Sequence, residues 1–121
     1  MATIRYIVQD TEAAIRFYTQ LLGFELLERW GPAFAMVGKD GLVLWLSGSN
    51  TSAAQSMPDG RVPESGGWNR IVLEVSGLEA LITNLKLSSV IFRNEMIDGV
   101  GGKQVLIEDP SGNPIELFES K

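Results

Sequence analysis

The chain has 121 residues, 45% of them apolar, with 10 Lys and Arg against 15 Asp and Glu and a formal charge of −5. That is enough apolar surface for one core, so a single domain over residues 1–121 is expected; with no run of Lys or Arg, the acidic balance argues against nucleic acid or an anionic membrane as the main partner. There is no cysteine and no histidine, which removes disulfides, a thiolate nucleophile, the commonest metal ligand and the side chain best matched to proton transfer at neutral pH.

The chain runs directly into Thr3–Val8 with no basic segment ahead of an apolar one, and no apolar stretch approaches bilayer-spanning length, so no membrane and a cytoplasmic location are expected. The first strand is predicted over residues 3–9. A helix follows, with Asp10 or Thr11 as N-cap, an apolar face of Ala14, Phe17, Tyr18 and Leu21 at i, i+3, i+4, i+7, and Gly23 as its stop. Three apolar runs, Phe24–Trp30, Ala33–Val37 and Leu42–Ser47, predict strands divided by Gly31-Pro32 and by the turn Lys39-Asp40-Gly41. Residues 48–67 are rich in Gly, Ser and Pro and too long for a simple connection; they read either as a lid or binding loop or as a mobile linker.

A strand is predicted over Trp68–Val75, then a helix opened by Ser76 and Glu79 as a capping box, with Leu78, Leu81, Ile82 and Leu85 on its apolar face. Strands at about 91–97, 103–108 and 115–119 complete the chain, the last two joined by a turn-rich stretch from Asp109 to Pro114.

The second half is an approximate copy of the first. An offset of 67 aligns Val8–Ile15 with Val75–Ile82, and an offset of 71 aligns Gly41–Leu46 with Gly112–Leu117. Each half reads βαβββ, so the class is α+β with modules at about 1–47 and 68–121.

Alternation assigns Ile4, Tyr6 and Val8, with Ile71, Leu73 and Val75, to the helix side of each sheet; Leu42, Leu44, Leu46, Ile115 and Leu117 join them. The opposite faces carry Thr3, Arg5, Ile7, Val43, Trp45 and Ser47 in one half. In the other they carry Arg70, Val72, Glu74, Pro114, Glu116 and Phe118. Burying Arg5, Arg70, Glu74 or Glu116 unpaired is costly, so these groups pair with one another, meet water or meet a ligand. The alternative is a face that packs on the other half or a second subunit, with Arg70 and Glu116 as an ordinary ion pair.

Asp10–Gly23 with Phe17-Tyr18, Leu21-Leu22-Gly23-Phe24, Leu78-Glu79-Ala80 and Asp109–Leu117 together resemble the vicinal oxygen chelate superfamily, which includes glyoxalase I, extradiol dioxygenases and bleomycin resistance proteins. The resemblance implies paired βαβββ modules forming a curled mixed sheet around a cleft, and a homodimer. It also implies four metal-ligand positions, which fall on Thr3, Trp45, Arg70 and Glu116. Of these, Glu116 alone is a usual ligand type, so a metal-free site without cofactor is expected; a site built from Glu74 and Glu116 is disfavoured by Arg70 beside them.

The leading expectation is therefore metal-independent binding of a small molecule, as in bleomycin resistance proteins, by Thr3, Arg5, Trp45, Ser47, Trp68, Arg70, Glu74, Glu116 and Phe118. The alternative is a glyoxalase-like lyase or isomerase with Glu116 or Glu74 as base and Arg70 stabilising an enolate. A third reading is a structural or regulatory dimer, with Met57–Arg61 as a partner-binding segment.

Overall fold

The computed structural model describes residues 2–121, which divide into two compact units at the boundary between Gly66 and Gly67. In the first, β1 (Ala2–Ile7) is followed by helix α1 (Thr11–Arg16), a π-helical continuation over Phe17–Leu21, and strands β2 (Glu25–Trp30), β3 (Phe34–Lys39) and β4 (Leu42–Ser47). The sheet order is β1-β4-β3-β2, with β1 parallel to β4 and the other pairs antiparallel.

Local chemistry accounts for these elements. Asp10 caps α1, its Oδ1 accepting the Ala13 N–H at 3.0 Å, and Glu12 and Arg16 sit at the ends of the helix dipole that favour their charges. The wider π turn shifts the apolar register by one residue, so Leu22 is buried while Leu21, expected on the apolar face, is only half-buried. Tyr18 is fully buried between the rings of Phe17 and Phe24, with centroids 5.1 and 5.4 Å away in edge-to-face contact. Asp40 and Gly41 both have positive φ (49° and 84°), as the two-residue turn joining right-twisted strands requires.

The helix lies on β3 and β4, and the face it covers carries Tyr6, Ala35, Val37, Leu44 and Leu46, all buried. Residues 48–66 belong to this unit and are built of turns. The Gly48 N–H donates to the Ala33 carbonyl at 2.7 Å, Ser52–Ala54 form a 3₁₀ turn, and the Met57 N–H closes on the Arg61 carbonyl at 2.7 Å.

The second unit runs β5 (Ile71–Glu74), α2 (Leu78–Leu87), β6 (Ile91–Phe92), β7 (Ile97–Asp98), β8 (Gly102–Glu108) and β9 (Pro114–Ser120). Its sheet is ordered β5-β9-β8-β6, with β7 also on β8. The strand expected over 91–97 is thus broken in two. The Arg93 N–H still bonds the Leu106 carbonyl at 2.9 Å, but the Leu106 N–H donates to the Asn94 side-chain oxygen at 2.9 Å; a side chain takes the ladder's acceptor role and the backbone leaves the sheet.

The capping box is a second correction. Gly77 is the N-cap, at φ 70°, and the Glu119 carboxylate accepts the N–H groups of Gly77 at 2.7 Å and Leu78 at 3.3 Å. Glu79 instead binds Lys103 Nζ at 2.9 Å. The 109–114 turn is organised by buried Asp109, whose Oδ1 accepts the Ser111 and Asn113 N–H groups, each at 2.9 Å. Gly102 lies so close to β9 that a Cβ there would collide with the Glu119 carbonyl oxygen.

The duplication is present in the strand register. In the first unit Ile4, Arg5, Tyr6 and Ile7 pair with Leu44, Trp45, Leu46 and Ser47; in the second, Ile71, Val72, Leu73 and Glu74 pair with Ile115, Glu116, Leu117 and Phe118. The two sequence offsets map each pair of one unit onto a pair of the other. Both units are therefore βαβββ modules of the expected α+β class, the second with one strand interrupted. Among the described residues no helix is long and apolar enough to cross a membrane.

Candidate functional site

In the first unit, the sheet face away from α1 is built from two register rows, each taking one residue from every strand. One row is Arg5, Trp45, Met36 and Glu28; the next is Ile7, Ser47, Phe34 and Trp30. Residues paired across strands share a face, so these side chains meet. The Arg5 guanidinium carbon lies 4.9 Å from the centroid of Trp45, and its Nη1 donates to the Ser47 hydroxyl at 3.2 Å. Phe34 is 5.9 Å from Trp45 and 6.3 Å from Trp30, both edge-to-face. Trp30 is 65% exposed at the outer strand, its indole N–H donating to Glu28 Oε1 at 3.0 Å. This face can hold a flat apolar body and offer a cation at the β1 side.

The corresponding face of the second unit is chemically different. Glu116, buried on β9, accepts Arg70 Nε at 3.1 Å and Arg70 Nη2 at 2.9 Å. Both bonds go to the same carboxylate oxygen, Oε1, so the pair lacks two parallel bonds to two oxygens. Arg70 Nη1 also donates to the Trp68 carbonyl at 3.4 Å. The Trp68 ring, 69% exposed, lies against Arg93, whose guanidinium carbon is 4.6 Å from the ring centroid. Arg93 in turn binds Glu108 at 2.7 Å, the Gly67 carbonyl at 2.7 Å and the Gly112 carbonyl at 3.0 Å, fastening the entry of the second unit to its sheet.

Of the residues expected at the site, Arg5, Trp45 and Ser47 come together in the first unit, and Arg70 and Glu116 in the second. Thr3 pairs with Val43, so Arg5 rather than Thr3 stands beside Trp45. Glu74 and Phe118 are register partners, with Glu74 exposed and Phe118 half-buried. Sequence reasoning missed Trp30, Phe34 and Arg93. For the first two a signal existed: they flank the Gly31-Pro32 turn, and a hairpin there pairs them directly.

The four ligand positions implied by the family resemblance do not fit a divalent ion. Arg70 is a fixed cation, Trp45 has no donor lone pair, and Oε1 of Glu116, the one carboxylate, is occupied by Arg70. Among the described residues no three His, Cys, Asp or Glu side chains are grouped to hold a metal.

A family model described as the Glyoxalase/Bleomycin resistance protein/Dioxygenase superfamily matches residues 1–117. No curated protein matches the chain. Among solved structures, a superfamily member from Sphaerobacter thermophilus is similar at 26% identity and TM-score 0.78, covering 99% of this chain and 96% of that one. TnmS3, an antibiotic binding protein from Streptomyces sp. CB03234, is similar at 25% identity and TM-score 0.74, covering 98% and 93%. A lactoylglutathione lyase from Agrobacterium tumefaciens shares the fold at 17% identity and TM-score 0.75, covering 98% and 92%.

Proposed function

We propose, starting from the fact that this chain belongs to the Glyoxalase/Bleomycin resistance protein/Dioxygenase superfamily, that it is a metal-independent small-molecule-binding protein that sequesters a flat aromatic or heterocyclic ligand unchanged. The observation that carries this reading is the aromatic cluster Trp30, Phe34 and Trp45, drawn from two adjacent register rows and bordered by Arg5, on a sheet face its own helix leaves open. Stacking and edge contacts of this kind favour planar ligands, and a guanidinium orients them. The likeness to TnmS3 supports an antibiotic or similar natural product as the ligand class. On composition and family, the working form is a cytoplasmic homodimer, which light scattering of the purified protein tests.

The lyase or isomerase alternative asks Glu116 or Glu74 to act as base. Glu116 is already engaged through two Arg70 nitrogens, and Glu74 is an exposed carboxylate on the short edge strand β5. Titration of a planar natural-product library is expected to quench tryptophan fluorescence, with the response reduced in Trp45→Phe. Silence across the library, or turnover of methylglyoxal and glutathione that depends on Ni²⁺ or Zn²⁺, overturns the reading.

A further inference from the structure

Six arginines stand in this chain, and among the described residues five of them face a carboxylate: Arg16 and Arg29 on Glu12, Arg61 on Asp59, Arg70 on Glu116, Arg93 on Glu108. Arg5 is the exception. Its guanidinium is held by two neutral groups, the Ser47 hydroxyl at 3.2 Å and the Trp45 ring face at 4.9 Å. A guanidinium presents five N–H donors, and the Ser47 contact uses one of them. In a chain with 15 acidic residues, a cation fixed in orientation yet left without a counter-charge is what an anion-binding position requires.

The rest of the row gives the direction. Arg5 and Glu28 are the two ends of one register row, with Trp45 and Met36 between them. Three strand spacings separate the ends, about 14 Å at the usual inter-strand distance. Glu28 is held at its end by the Trp30 indole N–H. An acidic ligand group is attracted at the β1 end and repelled at the β2 end, and Trp45 and Phe34 stand on the two strands between.

We infer that the first unit's open face takes a flat aromatic anion, a carboxylate or sulfonate, with its acidic group on Arg5 and its rings lying over Phe34 toward Trp30. This deepens the binding role proposed above and rests on it. Trp30 is then a specificity residue, since it lengthens the apolar wall to the sheet edge.

Two fluorogenic probes of similar shape test the inference: 8-anilinonaphthalene-1-sulfonate and its neutral counterpart N-phenyl-1-naphthylamine. The wild-type chain is expected to bind the sulfonate about 10-fold more tightly, the scale of one charge-assisted contact, and to lose that preference as salt is raised. Arg5→Gln abolishes the preference, and Arg61→Gln, an equal change of charge elsewhere, keeps it. Equal affinity for the two dyes in the wild type, a preference insensitive to salt, or a preference that survives Arg5→Gln overturns the anion assignment and leaves small-molecule binding standing. Failure of both dyes to bind the folded wild type overturns the anion assignment and counts against the binding role itself. Should Arg5→Gln not fold, the salt series on the wild type decides.

Discussion

The two units share one backbone register and put opposite chemistry on it. At the same register position the first unit sets Arg5 beside Trp45, and the second sets Val72 beside Glu116. In the first, the cation rests on an aromatic plate with no carboxylate partner among the described residues. In the second, the cation comes from Arg70, just before β5, and is consumed by Glu116. The helix-side residues explain why the register is common to both. Leu44, Leu46, Ile115 and Leu117 are fully buried, and a one-residue slip would turn each of them to the wrong face.

The strongest way to test the equivalence is in the cores. Leu44→Ala and Ile115→Ala occupy the same register position, and each is expected to cost about 2–5 kcal/mol by urea denaturation. If one costs under about 1 kcal/mol, the units are not equivalent in packing. The contrast between the open faces is probed next. Glu116→Ala strips the partner from a part-exposed guanidinium and is expected to cost about 1–3 kcal/mol; Arg70→Ala with Glu116→Ala together should cost less than the two single changes added. An additive double variant would show that the pair carries no coupling.

The helix starts give a smaller effect. Asp10→Ala and Glu119→Ala should each lower stability by about 1 kcal/mol, one cap being local and the other reaching from β9. Ser76→Ala should stay within about 0.5 kcal/mol, because Gly77 rather than Ser76 is the N-cap. A Ser76 loss as large as that of Glu119 would restore the capping box.

The smallest effect is electrostatic. Lys103 holds the Glu79 carboxyl below the usual carboxylate range, and Glu79 holds the Lys103 ammonium above the usual lysine range. The stability from this pair is present between those two ranges. It is lost in acid as pH falls through the lowered Glu79 value, and in base as pH rises through the raised Lys103 value. Both groups are fully exposed, so the pH dependence of Tm that Lys103→Met removes should also disappear in about 1 M salt. A dependence that persists in high salt points to a different group.

Much of the fold was legible because it is written in local and periodic signals. The Asp10 cap, the Asp40-Gly41 turn and the apolar alternation of the paired strands act within a few residues or repeat at a fixed period. The structure departs from the local signals where a distant atom takes over a local role. Glu119 displaced the Ser76 and Glu79 box across 42 residues, and the Asn94 side chain replaced a backbone acceptor in the strand expected over 91–97. At the candidate site, periodicity assigns Arg5, Trp45, Arg70 and Glu116 to the face away from the helix. The part of Trp30 and Phe34 depends on which strands neighbour one another, which periodicity does not carry.

By itself, the sequence determined that there are two βαβββ modules, which residues face each helix, and that Glu116 is the one usual ligand type among the four positions the family resemblance marks. These follow from side-chain period and chemical identity, which need no partner. The tertiary structure alone decided which cation has a counter-charge. Arg5 and Arg70 are equally charged in the sequence, and only the folded chain places a carboxylate against one and an indole against the other.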